Sequence, residues 1–182
     1  LLMSSTASES IWTYSWTVST SVGSTTATVS GTDLSGNLYS GNDSITFILD
    51  NTAPTVVLTF DDTDQIVSNS DLVIINATFS EPMTATPTLN LSGIGSNLLM
   101  SSTASKSVWT YSWTVSTSVG STTATVSGTD LSGNPYSGND GITFILDNAA
   151  PTVVLTSDDT DQIVSNSDLV IINATFSEPM TA

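Results

Sequence analysis

DLVIINATFS, residues 71–80, puts Val73, Ile75, Ala77 and Phe79 on one side of an extended chain and Leu72, Ile74, Asn76 and Thr78 on the other. Side chains of a strand alternate between faces, so a two-residue period is the mark of a half-buried β-strand. The large Phe79 on the first face and the polar Asn76 on the second assign the first face to the interior. The same period returns in 108–115, where Trp109, Tyr111, Trp113 and Val115 line up. It returns again in 121–129 with Thr122, Ala124, Val126 and Gly128. Ile142, Phe144 and Leu146 mark a strand before Asp147, and Val56 and Leu58 a shorter one after Pro54. Thr, Ser, Val and Ile dominate these runs, and β-branched residues pack well on a pleated surface. Turn chemistry separates them: DLSGN at 33–37 and 130–134, GND at 41–43, and SEPM at 80–83. Short strands with such turns predict an antiparallel all-β domain. No segment carries the i, i+3, i+4 pattern of a helix, so almost no helix is expected.

Residues 1–85 recur as 98–182 at an offset of 97, with 79 identities among the 85 pairs. The differences are Glu9/Lys106, Ile11/Val108, Leu38/Pro135, Ser44/Gly141, Thr52/Ala149 and Phe60/Ser157, and no gap interrupts the register. Solenoid units repeat at about 20–50 residues, whereas about 100 residues suffice for one self-contained β-sandwich. The repeated unit is therefore expected to be a whole domain. NTAP at 51–54 and NAAP at 148–151 are the expected linkers, because proline cannot donate into a strand ladder and holds the preceding residue extended. This frame makes 52–148 a complete domain, 1–51 the closing part of a preceding copy and 149–182 the opening part of the next. A first residue other than Met fits a fragment cut from a longer array. The two end parts come from the same repeat, so head-to-tail self-association through them is expected alongside contact with neighbouring repeats of the same chain.

Composition narrows function. Seventeen acidic residues against the single basic Lys106 give a net charge of -16. Phosphate binding needs several Lys or Arg, so neither nucleic acid nor an anionic membrane surface is an expected partner. Without His or Cys the chain has no Ser/His/Asp or Cys/His nucleophile system, no thiol chemistry and no usual zinc ligands. Lysine scarcity also excludes a Lys–Asn crosslink in every repeat. No apolar run approaches the roughly 20 residues of a membrane span, and residues 1–8 lack a basic start followed by an apolar stretch. A hydrolase built on Glu81 and Asp62 is disfavoured because their loops are expected at opposite ends of the domain. The chain is expected not to be an enzyme.

GTDLSGN, then ITFILD, then NTAP with TVVLT, and FSEPM one strand later together resemble the bacterial immunoglobulin-like (Big-type) tandem repeats of large surface and adhesin proteins. The resemblance covers the whole chain and implies an immunoglobulin-like antiparallel β-sandwich in a tandem repeat of 97 residues. It further implies an extracellular or cell-surface location in a bacterium, and a stalk or spacer role serving a distal adhesion ligand. The competing reading is a module that itself binds carbohydrate or a host protein. In such a sandwich the loop holding Asp61, Asp62 and Asp64 is expected near Asp147, with Glu178 of the following copy approaching across the junction. Hard carboxylate oxygens suit calcium, which takes 6 to 8 of them. Asp158, Asp159 and Asp161 repeat the set in the next copy. The plainer reading of these residues is solvated Asx turns. Asp33 and Asp130 read first as turn caps, and second as metal ligands. The stripes Trp12, Tyr14, Trp16 and Trp109, Tyr111, Trp113 read first as core, and second as a sugar-stacking platform. Asn42, Asn76, Asn90 and Asn173 stand in glycosylation-type sequons, but Ser44 becomes Gly141 and Asn76 lies mid-strand, so they are given no role.

Overall fold

Leu72–Phe79 forms a strand whose alternate residues Val73, Ile75, Ala77 and Phe79 are buried. In the computed structural model, which describes residues 1–5, 10–116 and 119–180, all regular structure is strand. In chain order the strands are β1 (Ser4–Ser5), β2 (Trp12–Thr13), β3 (Gly23–Thr28), β4 (Ser44–Leu49) and β5 (Val56–Phe60). They continue as β6 (Ile66–Val67), β7 (Leu72–Phe79), β8 (Thr88–Leu91), β9 (Gly95–Leu99) and β10 (Ser101–Ser102). The last are β11 (Val108–Thr114), β12 (Gly120–Ser127), β13 (Gly141–Leu146), β14 (Val153–Ser157) and β15 (Ile172–Phe176). Glu9, the counterpart of Lys106, lies outside the described residues.

Two sheets face each other across one core. The first has the order β10-β11-β7-β5 and the second β6-β13-β12-β8-β9. All pairings are antiparallel except that of β6 with β13, where Ile66 meets Ile145 and Val67 meets Leu146 in parallel. A short β6 arises because residues 61–65 turn the chain away from β5 towards the other sheet. Gln65 takes a left-handed φ of 64° there. The Asp62 carboxylate captures the amides of Asp64 and Gln65 and holds that turn in place of a glycine.

Every member of the buried cluster lies between Val56 and Leu146, and it draws on both sheets. Phe144 is fully buried and stands edge-on to Phe60 at 5.3 Å and to Trp113 at 5.5 Å. Edge-to-face pairs add about 0.5–1.5 kcal/mol each beyond the area they bury. Polar atoms inside are paired: Trp109 Nε1 donates to the Lys106 carbonyl at 2.8 Å and Thr122 Oγ1 to that of Ser92 at 2.9 Å.

The flanking pieces repeat the local structure without the burial. In 1–51, β1 pairs with β2 and β3 with β4, in registers that match β10 with β11 and β12 with β13. In 149–180, β14 pairs with β15 as β5 does with β7. The core reading of the aromatic stripe therefore holds for Trp109 and Trp113, 6% and 4% exposed, but not for Trp12 and Trp16, at 53% and 42%. Both tryptophans are the same in the two copies; among the described residues, no second sheet lies against those of residues 1–51.

This contrast gives a paired prediction. Phe144→Ala should cost about 3–5 kcal/mol in denaturant unfolding of the chain. The same change at its half-exposed counterpart Phe47 should cost less than about 0.5 kcal/mol.

Candidate functional site at the repeat junction

Strand β12 ends at Ser127, and the chain reverses through Asp130-Leu-Ser-Gly-Asn134 before β13. Asp130 is fully buried and organises the turn. Its Oδ1 accepts the amides of Ser132 and Asn134, both at 2.8 Å, and its Oδ2 accepts Asn134 Nδ2 at 2.9 Å. Gly133 supplies the positive φ of 95° that this reversal requires. Burial pushes the Asp130 carboxyl up, but the Asn134 side chain and the amides of Asn134, Ser132 and Gly133 outweigh it and leave the group below the ordinary aspartate value. The first copy builds the same turn in the open. Asp33 Oδ1 accepts Ser35 and Asn37 amides at 2.9 and 2.8 Å, and its acidity is raised first by the Asn37 side chain. Turn capping is thus a local property of DLSGN, as its sequence suggested.

Against this turn stands a second one. Strand β7 runs out into Ser80-Glu-Pro-Met83, and Met83 bridges to Asp130, with the Thr84 amide donating to the Thr129 carbonyl at 2.9 Å. The preceding copy then arrives at the same place. Ser132 Oγ donates to Asp50 Oδ2 and Asn134 Nδ2 to the Asp50 carbonyl, each at 3.3 Å. Among the described residues, Asp50, Glu81 and Asp130 form the one group of three potential ligand side chains, with a carboxylate oxygen of each within 4.8 Å of the others. Glu81 is the strained member. Loss of water raises its pKa first, then the charges of Asp50 and Asp130, then a hydrogen bond shared with Asp50.

The carboxylates singled out in the sequence lie elsewhere in the fold. Asp61 Oδ1 accepts the Ile74 amide at 2.7 Å, Asp62 Oδ1 that of Gln65 at 2.7 Å, and Asp64 Oδ1 that of Ile66 at 3.0 Å. Asp158, Asp159 and Asp161 repeat these bonds to Ile171, Gln162 and Ile163. These six point at their own backbone and join no three-carboxylate group. Asp147 accepts the Ala149 amide at 2.9 Å and does not gather with Asp61, Asp62 and Asp64 into one ligand set. The physical reason is the short β6, which lies between the DDTD turn and the end of β13, so that the Asp147 amide meets the Val67 carbonyl.

One element of the sequence reading has a counterpart in the observed cluster. Glu178 was expected to approach Asp147 and the DDTD carboxylates across the junction; among the described residues Asp147 and Glu178 join no three-carboxylate group, whereas their counterparts Asp50 and Glu81 join one with Asp130. None of the three stood in the expected ligand set: Asp130 was read first as a turn cap and only second as a metal ligand, and Asp50 and Glu81 are the counterparts of two expected ligands. The turn motif explained Asp130 already, and the signal that would have added it is the buried position of a turn next to SEPM. Glu81 and Asp62 follow opposite ends of the antiparallel β5–β7 pair. The inward-packed Trp109 and Trp113 offer no stacking surface. Comparison with protein-family models and with curated proteins finds no match to this chain.

The raised pKa of Glu81 carries a sign. The folded state holds this proton more tightly than the unfolded state, so the contribution to stability is full below the ordinary value of 4.5 and is lost as pH rises through the raised value. Calorimetric melting across pH 4–8 in a chelator should show that loss. Glu81→Gln should remove it and raise the melting temperature at pH 7; equal profiles for the two proteins would contradict the shared-proton geometry.

Proposed function

We propose that this chain is a non-catalytic spacer, made of bacterial immunoglobulin-like β-sandwich repeats in an extracellular or cell-surface protein, that holds a distal adhesion domain away from the cell. The observation that carries the reading is the junction. Asp50 at the close of one repeat is received by Glu81, Asp130, Ser132 and Asn134 of the next, so consecutive copies meet through defined contacts. Support for the immunoglobulin-like assignment comes from the two sheet orders and from the parallel β6–β13 edge. The mechanism is geometric. Each repeat adds about 35–45 Å, from strands of 6–8 residues at about 3.3 Å each with their loops and linker, and repeat number sets the reach.

Calcium is the proposed stiffener of this joint. Asp50, Glu81 and Asp130 provide only hard oxygens, and with the Asp50 carbonyl beside them they fit part of the 6–8 oxygen shell that calcium takes. Bound there, the ion would neutralise carboxylates that otherwise repel one another. Asp147 and Glu178 are the matching residues at the following junction. X-ray scattering of the chain with calcium and with chelator should give a longer, narrower distribution of maximum dimension with the ion. Calcium should also raise the melting temperature, since a ligand of the native state alone must stabilise it. Identical scattering profiles and melting curves would overturn the stiffened-rod mechanism.

A further inference from the structure

Among the aspartates and asparagines of the chain, Asp140 is the one followed by glycine. The pair lies where the loop after the DLSGN turn enters β13: Asp140 is exposed, and Gly141 is the first residue of the strand, opposite Thr125. Further along β13, the Ile145 and Asp147 amides reach the Gln65 and Val67 carbonyls on the β6 side. Amide direction alternates along a strand, so the Gly141 N–H faces that same edge and is turned away from β12. At Gly141 the edge is not yet covered by β6, whose pairing with β13 starts at Ile145. Gly141 also has no side chain to shield its nitrogen.

We propose that Asp140 and Gly141 form a site of spontaneous succinimide closure and conversion to isoaspartate. The Gly141 nitrogen attacks Asp140 Cγ. The new C–N bond closes a cyclic imide, and one carboxyl oxygen departs as water, taking the amide proton and a second proton from solvent. Water then adds to either ring carbonyl and breaks its bond to that nitrogen. Opening at the former side-chain carbonyl restores aspartate. Opening at the backbone carbonyl leaves isoaspartate, in which the chain runs through the side chain and the backbone gains one atom at the head of β13. Both reacting groups belong to adjacent residues, so the attack has the high effective concentration of an intramolecular reaction and needs no enzyme.

Tyr136 restrains the reaction. Its O–H donates to Asp140 Oδ2 at 2.7 Å, and its oxygen accepts the Asp140 amide at 3.0 Å. The half-buried ring stands edge-on to Phe79 at 6.2 Å, which anchors it to the core. A Cβ at Gly138 would collide with the Tyr136 hydroxyl, so the loop closes over that group only with glycine there. The Asp140 carboxyl must leave this hydroxyl before its carbon can meet the Gly141 nitrogen. In the first copy Tyr39 and Asp43 make the same two contacts, but Ser44 stands in place of Gly141. A side chain after the aspartate hinders the attack, which makes Asp43 an internal control.

The whole 182-residue chain is incubated at neutral pH in heavy-oxygen water, so that each ring opening leaves a heavy oxygen in residue 140. Its peptides are then read by mass spectrometry, with fragmentation that separates isoaspartate from aspartate. Label and isoaspartate should accumulate at Asp140 ahead of Asp43. Gly141→Ser should slow both at least about tenfold, and Tyr136→Phe should speed them at least about threefold. Ser44 already stands opposite Thr28 in the matching register, so the ladder accepts serine at this place. Hydrogen exchange at the Ile145 and Asp147 amides should stay as in the wild type in Tyr136→Phe, which assigns the faster rate to the freed carboxyl and not to opening of β13. Label no higher at Asp140 than at Asp43, or undiminished in Gly141→Ser, overturns the site. A Tyr136→Phe rate equal to that of the wild type, or one matched by faster exchange at Ile145, overturns the restraint.

Discussion

Burial of Phe144 between Phe60 and Trp113 is the contact on which the rest of the structure depends, because it joins strands from both sheets and from both halves of the repeat. Strand β5 and strand β13 are separated by most of the 97-residue unit, so this core forms only when the opening and closing parts of one repeat come together. The flanking pieces show the converse. They keep hairpin registers and turn caps, which depend on neighbours in the chain, and lack burial, which depends on a complement. Local chemistry and long-range packing are separated in one molecule by nearly identical sequence in different surroundings.

That separation explains what was legible in advance. The alternation of Val73, Ile75, Ala77 and Phe79, and of Ile142, Phe144 and Leu146, predicted the buried faces because a two-residue period carries its own geometry. Asp130 was readable as a cap for the same reason, its partners being two and four residues away. The parallel β6–β13 edge was not readable, since two residues, Ile66 and Val67, carry too little pattern to announce a change of sheet. The density of aspartates in DDTD drew attention to a metal set, but neighbouring amides absorb those carboxylates. Sparse acids from three distant segments made the actual cluster, and only folding could bring Asp50, Glu81 and Asp130 together.

Electrostatics then sets the character of the junction. A chain of net charge -16 brings three carboxylates to a single point, an arrangement that a proton between Glu81 and Asp50, or a cation, would relieve. Hydrogen bonds from Ser132 and Asn134 are long at 3.3 Å and hold Asp50 lightly, so the joint depends on what balances its charge.

The parallel edge also has a mechanical consequence. The chain enters the central sandwich at one end and departs from the other, so tension applied along the chain, as in the proposed spacer, would pull β6 and β13 in opposite directions along their common axis. The bonds from Ile145 to the Gln65 carbonyl at 2.8 Å, and from Asp147 to that of Val67 at 3.0 Å, are loaded together in shear instead of peeling one after another. With the Asn148 side chain accepting the Asn69 amide at 2.6 Å beside them, this two-residue strand is a clasp across which a stretched repeat would carry its load.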